Sequence, residues 1–253
     1  MGRGFQLLAG VAALCVLALL AARPLAAWYA DDTGNLALAK GQAQAAAGRF
    51  VYGLSLEPRW ALLHEDLGRA VLDSDPAAAL REFRIAACGS PCTAEEGDAL
   101  LRLGRTNEAI SSYIAAKAVA RLGQRAQDLA NSGRDGEAIA LEQALISRLH
   151  DSFLERAELA SAYATLGNLQ IQAGWKKPAQ APALRRNAIG ALQQAATLAP
   201  YNERYLLLYA FAQLQWGDRA AARTTFERIL RLHPHQRDAE AALAELDASP
   251  PKP

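Results

Sequence analysis

The sequence is poor in the residues on which many catalytic and metal-binding sites depend. It holds three cysteines, four histidines and one methionine in 253 residues, and aromatic residues make up only 7%. Runs of Val, Ile and Thr that alternate with polar residues, which would predict strands, are missing. Alanine, the strongest helix former, dominates every long segment instead. The sequence therefore predicts an all-α fold.

The sequence also has no excess of positive or negative charge. The formal net charge is +1, and no Lys/Arg cluster or basic stripe stands out. This pattern argues against a nucleic-acid partner. Hydrophobic residues make up 51% and charged residues 21%, so the chain can bury a core and is not disordered throughout.

Catalytic and metal-binding motifs are absent from the sequence. His64-Glu65 lacks the second histidine of a zinc-protease motif, because Gly68 stands at that position. His233-Pro-His235 has no carboxylate or cysteine beside it to complete a metal site. Nucleophile-elbow, phosphate-loop and dinucleotide fingerprints are missing as well. We expect no enzyme activity, no cofactor and no bound metal.

The N-terminus predicts a membrane segment. Residues 5–22 form an uncharged, predominantly apolar run between Arg3 and Arg23-Pro24. Its 18 residues suit a transmembrane helix, which needs about 17–25. A secretory signal that ends at Leu25-Ala26-Ala27, before Trp28, is the alternative, and a buried soluble helix is a third. If the segment is retained, Trp28 and Tyr29 suit the membrane interface.

The orientation of this segment is weakly determined, because Arg3 and the amino terminus face Arg23 across it. A very short N-terminal tail is easily kept inside, and Asp31-Asp32 do not oppose export. We expect a single-pass protein of the bacterial inner membrane with its bulk in the periplasm, or a secreted periplasmic protein.

The rest of the chain contains an internal repeat. Pro200 and Pro234 are 34 residues apart, as are four further pairs: Ala188/Ala222, Leu192/Phe226, Ala195/Ile229 and Leu198/Leu232. With Gly217-Asp218 at a turn, Ala222 and Phe226 four residues apart and Pro234 at the end, the sequence resembles the tetratricopeptide repeat family. The resemblance implies an α-solenoid of stacked helix–turn–helix repeats.

Other copies are traced by an alanine near the start of each second helix. These alanines are expected at 46, 79, 109, 138, 188 and 222. In the copy that contains Ala138, Leu145 is the large apolar residue. We expect a membrane or signal segment over 1–30, repeats over 31–234, a capping helix over 235–247 and a Pro-rich tail over 248–253.

Cys88 and Cys92 flank Gly-Ser-Pro at a predicted helix end. In an exported protein, two cysteines four residues apart across a turn suit a short disulfide. Unpaired thiols and metal or redox chemistry are the alternatives.

About nine residues are inserted between the two helices of one repeat. The inserted segment contains Trp175, Lys176 and Lys177. We expect a loop that contacts a partner or a membrane surface, unless Trp175 packs back onto the helices.

The resemblance also implies a binding groove lined by the first helix of each repeat. In the last repeat the groove candidates are Arg204, Leu207, Phe211 and Leu214. Family members that clamp a terminal carboxylate have Lys and Asn where this chain has Leu207 and Phe211. An apolar ligand segment is therefore expected, unless these residues pack against the capping helix.

We expect from these features a non-enzymatic scaffold that binds proteins in an envelope assembly, such as polysaccharide or secretion machinery. A scaffold that faces the cytoplasm and an enzyme on an α-helical toroid are the alternatives.

Overall fold

The structure, a computed structural model, describes residues 22–86, 90–150 and 155–248, and for residues 90–93 it describes the backbone alone. Within these ranges it contains thirteen α-helices, one short 3-10 helix and no strand. The predicted all-α fold is confirmed for this part of the chain. The predicted anchor, residues 5–22, lies outside the described ranges except for Ala22. None of the helices inside them has both the length and the apolar character needed to cross a membrane.

Two compact units divide the chain after Ala118. Unit 1 contains α1 (22–39), α2 (Ala43–Leu56), α3 (Ala61–Val71), α4 (Pro76–Ala86), α5 (Ser90–Arg102) and α6 (Thr106–Ala115). Unit 2 contains α7 (Val119–Asn131), α8 (Asp135–Ile146), α9 (Arg156–Lys176), the 3-10 helix Pro178–Gln180, α10 (Ala181–Leu198), α11 (Glu203–Gln215), α12 (Arg219–Leu232) and α13 (Arg237–Ala248).

Within each unit, consecutive helices pack as pairs, and each pair packs on the next. The six alanines predicted near the start of the second helices, at 46, 79, 109, 138, 188 and 222, are all fully buried. Four residues after most of them comes a large apolar side chain. Such small and large residues let two helices approach closely and fill the space between them.

Glycine and aspartate residues determine the turns between the two helices of a pair. Gly104 and Gly217 have φ of 72° and 89°, a conformation that favours glycine and ends the preceding helix. After Gly217, the Asp218 carboxylate accepts a hydrogen bond from the Ala221 N–H at 3.0 Å and caps α12. Three residues separate the two helices at each of these turns.

The first helix of unit 1 crosses the predicted domain boundary. Residues 22–39 are one continuous helix, so the boundary between residues 30 and 31 falls inside α1. Ala27 is fully buried in a cluster with Phe50 and Leu63. At the other end, the predicted capping helix begins two residues later than expected, and Ala239, Ala242 and Leu246 bury its apolar side.

Candidate functional site

One groove in unit 2 is lined by the first helices of its three pairs, α7, α9 and α11. These helices border a cavity of about 520 Å³, which we call the unit 2 groove. Its polar lining consists of Gln124, Gln127, Ser161, Thr165, Asn168, Arg204 and Tyr205, together with Glu142 of α8. Within the described residues, α8 contributes only this carboxyl group to the lining.

Glu142 is fully buried in the wall of the groove. Neither of its carboxyl oxygens has a hydrogen-bond partner in the described structure. Burial raises the pKa of Glu142 from 4.5 to about 8, because the charged form is poorly solvated there. A carboxyl group with this pKa is mostly protonated and neutral at pH 7.

Gly123 of α7 lies next to this carboxyl. A Cβ atom added to Gly123 would lie 3.5 Å from Glu142 Oε1 and 3.4 Å from Thr165 Oγ1. The backbone of α7 at Gly123 thus lies close to Glu142 and Thr165 and helps to enclose the carboxyl.

Sequence reasoning missed Glu142, although the repeat register contains the signal. The residue four positions after the buried alanine is large and apolar in the five other pairs: Phe50, Phe83, Tyr113, Leu192 and Phe226. After Ala138 the same position holds Glu142. Leu145, which the sequence suggested as the large residue of this copy, is also fully buried, one helical turn further on.

The predicted groove residues of α11 divide into two groups. Arg204 is exposed and lines the unit 2 groove, and Phe211 is 42% exposed with its ring edge against Phe226 at 5.1 Å between centroids. Leu207 and Leu214 pack against the C-terminal core instead. Arg204, Leu207 and Phe211 also line a second hollow of about 540 Å³ between α11 and the start of α13.

The predicted insertion is helical rather than a loop. It lengthens α9, which runs to Lys176, and α10, which starts at Ala181. No proline occurs in α9, so the helix continues to Lys176. Trp175 is 62% exposed at its end and remains a candidate contact residue.

Lys176 has an internal role that the sequence did not reveal. Its ammonium donates hydrogen bonds to Asp135 Oδ1 at 2.7 Å and to the Ala130 carbonyl at 2.8 Å. Asp135 is buried, so this ion pair ties the end of α9 to the turn between α7 and α8. Lys177 lies further away, with its Nζ 3.8 Å from Asp135 Oδ2.

The first helices of unit 1 present a different surface, an acidic network around Arg69. The guanidinium contacts Glu95 Oε1 at 2.7 Å, Asp66 Oδ1 at 2.9 Å and the Glu65 carboxylate. Burial, and then the neighbouring Asp66, raises the pKa of Asp31 to about 6. These groups bond mainly to one another.

The cysteine pair cannot be placed. Cys88 and the side chain of Cys92 lie outside the described residues, so their predicted disulfide stays a prediction. Among the described residues, no group of three or more His, Cys, Asp or Glu side chains is arranged to hold a metal ion.

Comparison with known proteins finds likeness in fold only. No protein-family model matches the sequence, and no curated protein matches it. Among solved structures, the Cut9–Hcn1 hetero-tetramer of the APC/C is 18% identical with a TM-score of 0.45, over 92% of this chain and 45% of that chain. Thus this chain spans less than half the length of that relative.

Two further solved structures cover most of both chains. PilF of Pseudomonas aeruginosa is 18% identical with a TM-score of 0.41, over 88% of this chain and 99% of that chain. YrrB, described as a TPR protein with an unusual peptide-binding site, is 12% identical with a TM-score of 0.38, over 85% of this chain and 90% of that chain. Tetratricopeptide repeat proteins are thus among the structures that the chain resembles.

Proposed function

We propose that this chain is a tetratricopeptide-like scaffold that binds a segment of another protein in the unit 2 groove. The observation that carries the proposal is the groove itself, about 520 Å³ and bordered by the first helices of three successive pairs. A cavity that spans three helices suits an extended or helical polypeptide segment.

The chemistry of the lining supports a polypeptide ligand. Gln124, Gln127 and Asn168 carry amides that both donate and accept hydrogen bonds, as a peptide backbone requires. Ala120, Ala162 and Leu208 supply apolar surface between them.

The same lining favours binding over catalysis. Glu142, Arg204 and Tyr205 are its only ionisable residues among those described, and no histidine or cysteine lies with them. A general base needs a nucleophile or substrate proton within hydrogen-bond reach, and the lining places no such pair together. An enzyme on a helical toroid is therefore not our proposal.

We further propose that residues 5–22 hold the scaffold at the bacterial inner membrane with its repeats in the periplasm, where it assists an envelope assembly such as polysaccharide or secretion machinery. The apolar run supports the anchor. Cleavage before Trp28 would cut α1 and remove Ala27, which is fully buried. Trp28, Tyr29 and Tyr52 are exposed, as aromatic residues at a membrane interface are.

Site-specific photo-crosslinking tests the binding surface. A photoreactive residue is placed at Gln124, which is exposed in the groove, or at Gln143, which is exposed on α8 outside it. In cells, we expect a discrete crosslinked protein from position 124 and much less from position 143. Equal crosslinking at the two positions, or none at 124, would contradict the proposed groove.

Fractionation and thiol mapping test the location. We expect the full-length chain in the membrane fraction and Cys88 bonded to Cys92 in unreduced peptides. A soluble chain that begins at Trp28 would refute the anchor. Two freely alkylated thiols would favour the alternative scaffold that faces the cytoplasm.

A further inference from the structure

Exposed apolar side chains are concentrated in the first helix pair. Of the twelve large hydrophobic side chains exposed in the described part of the chain, six lie on α1 and α2: Leu25, Trp28, Tyr29, Leu36, Val51 and Tyr52. Each of the six is more than half exposed. Monomeric soluble proteins rarely expose apolar side chains in such a cluster, and a cluster of this kind marks an interaction surface.

Part of this cluster forms one face across the two helices. Leu25, Tyr29 and Leu36 follow one another at intervals of four and seven residues, so they lie on one side of α1. Tyr29 of α1 and Tyr52 of α2 border the same hollow of about 310 Å³ between the helices. The exposure of these side chains means that no described helix covers this side of the pair.

The hollow between the two tyrosines contains one cation. Its other lining residues are Ala30, Thr33, Gly48 and Arg49. Arg49 is exposed and donates a hydrogen bond to the Thr33 carbonyl, and no carboxylate of the described residues pairs with it. A guanidinium carries five N–H donors in a fork that matches a phosphate group. A Cβ atom added to Gly48 would meet no atom within 4 Å, so the hollow is open on that side.

The exposed charges around the hollow favour an anionic partner. Within residues 22–56 the exposed cations are Arg23, Lys40 and Arg49, and the exposed acid is Asp32. Basic residues beside exposed tyrosine and tryptophan are the combination with which proteins contact the headgroup layer of a bilayer. An acidic protein segment would match the charges but would not account for the aromatic rings.

The position of the face in the chain also favours a bilayer. The apolar run over residues 5–22 ends where α1 begins. At the rise of an α-helix, Tyr29 lies about 10 Å along α1 from the end of this run. Pro24 has no backbone N–H with which to continue a helix from the preceding turn, so α1 can lie along the bilayer instead of pointing away from it.

We propose that the N-terminal face, formed by Leu25, Tyr29 and Leu36 of α1 with Arg49 and Tyr52 of α2, lies against the phospholipid bilayer, and that Arg49 binds a lipid phosphate between the two tyrosines. This inference rests on the proposed membrane location and adds a second contact to it. An anchor alone leaves the orientation of unit 1 free, whereas two contacts fix which side of unit 1 faces the membrane.

Photo-crosslinking to lipid tests the N-terminal face. The full-length chain is reconstituted in vesicles of phosphatidylethanolamine and tagged phosphatidylglycerol. A photoreactive phenylalanine analogue replaces Tyr52 or, as the matched control, Ile85, which is equally exposed on α4 of the same unit. We expect a lipid adduct from position 52 and little from position 85.

Three results would overturn the proposal: equal lipid adducts from the two positions, no lipid adduct from position 52, or a crosslink from position 52 to protein in place of lipid. A crosslink to a second copy would make the face a dimer interface. A crosslink to residues 1–21 of the same chain would mean that this segment covers the face.

Two arginine variants test the phosphate contact. Arg49→Glu reverses the charge in the hollow and should lower the lipid adduct from position 52 by roughly fivefold. Arg59→Glu makes the same change at an exposed arginine between α2 and α3 and should leave the adduct unchanged. Both variants should melt close to the wild-type temperature, because the replaced side chains are exposed. Equal effects of the two variants on the adduct would refute the phosphate contact.

Fractionation separates this inference from the anchor. A chain that stays in the membrane fraction but gives no lipid adduct from position 52 would refute the N-terminal face and leave the anchor. A soluble chain that still gives the adduct with vesicles would refute the anchor and support the face. A soluble chain without the adduct would refute both.

Discussion

The two units differ at one repeat position, because an aromatic ring fills it in all three pairs of unit 1, whereas a carboxyl group fills it in the first pair of unit 2. In unit 1, Phe50, Phe83 and Tyr113 follow their alanines by four residues and are fully buried. In unit 2, Glu142 takes this position in the first pair, with a groove in front of it. The comparison teaches that a solenoid can convert one packing position into a polar site without changing the helix pairs around it.

The first helices of the pairs also differ between the two units in the polar residues that they carry. Those of unit 1 carry acids that are gathered around Arg69, so their polar groups largely satisfy one another. Those of unit 2 carry amides, hydroxyls and the guanidinium of Arg204 along a cavity. Gln124 and Gln127 bond to neighbouring side chains but border this cavity, so we propose that the ligand binds there.

Removal of an aromatic ring from unit 1 should have the largest effect on stability. Phe83→Ala empties a fully buried site against Gly68, and we expect a loss of about 3–5 kcal/mol in the free energy of unfolding. Urea denaturation followed by circular dichroism measures the loss. Leu62→Ala, at a side chain 43% exposed, should change it far less. Equal losses would refute the packing role of the aromatic position.

At the corresponding position of unit 2, Glu142 should instead make the free energy of unfolding depend on pH. Folded Glu142 keeps a proton up to about pH 8, whereas the unfolded group releases it near pH 4.5. The folded state therefore binds more protons between these values, and stability falls as the pH rises from about 5 to 8. The full shift corresponds to roughly 3–5 kcal/mol.

Glu142→Gln removes this dependence, since its amide does not titrate. Denaturation of both proteins at pH 5, 6.5 and 8 measures the difference. If the wild type and the variant show parallel pH profiles, Glu142 is not the buried neutral acid described here.

Glycine-to-alanine variants in the first helices compare how closely the two helices of a pair approach in each unit. In unit 1, a Cβ at Gly68 would lie 2.5 Å from the Phe83 ring, so Gly68→Ala should cost about 1–3 kcal/mol. In unit 2, Gly123→Ala meets its neighbours at 3.4 Å or more and improves helix propensity, so a gain of about 0.5–1 kcal/mol is expected. Melting temperatures that move in the same direction would contradict this distinction.

A smaller effect is expected at the end of α9. Lys176→Ala leaves the buried Asp135 without its nearest cation and should cost about 1–2 kcal/mol. Lys177→Ala, at 3.8 Å from the same carboxylate, should cost less than half as much. If thermal melts show Lys177 to be the more important residue, the ion pair has been assigned to the wrong lysine.

Periodicity made much of this fold predictable. Five pairs of residues at a spacing of 34 locate the last two helix pairs, and the six alanines expected in the second helices of all the copies are buried. Local patterns predict such packing well, because a small residue at a helix crossing recurs with each repeat.

The polar sites were not predictable in the same way. Lys176 seemed available to a partner, but its contact with Asp135 joins residues 41 positions apart, which no local pattern reveals. Glu142 stands in register with the aromatic residues, yet only the structure shows that it has no partner and faces a groove. The nine inserted residues looked like a loop because two prolines lie among them, but the helices extend on either side of Pro178.

The most direct test of the account joins stability and binding in one variant. Glu142→Leu restores the kind of residue found in the other pairs, and replacing an unpartnered buried acid with an apolar group should raise the melting temperature. With a photoreactive residue at Gln124, the account predicts a more stable protein that keeps its crosslinked partner, because the exposed residues of the groove are unchanged. A folded variant that crosslinks equally from Gln124 and from Gln143 would contradict the groove as the binding surface.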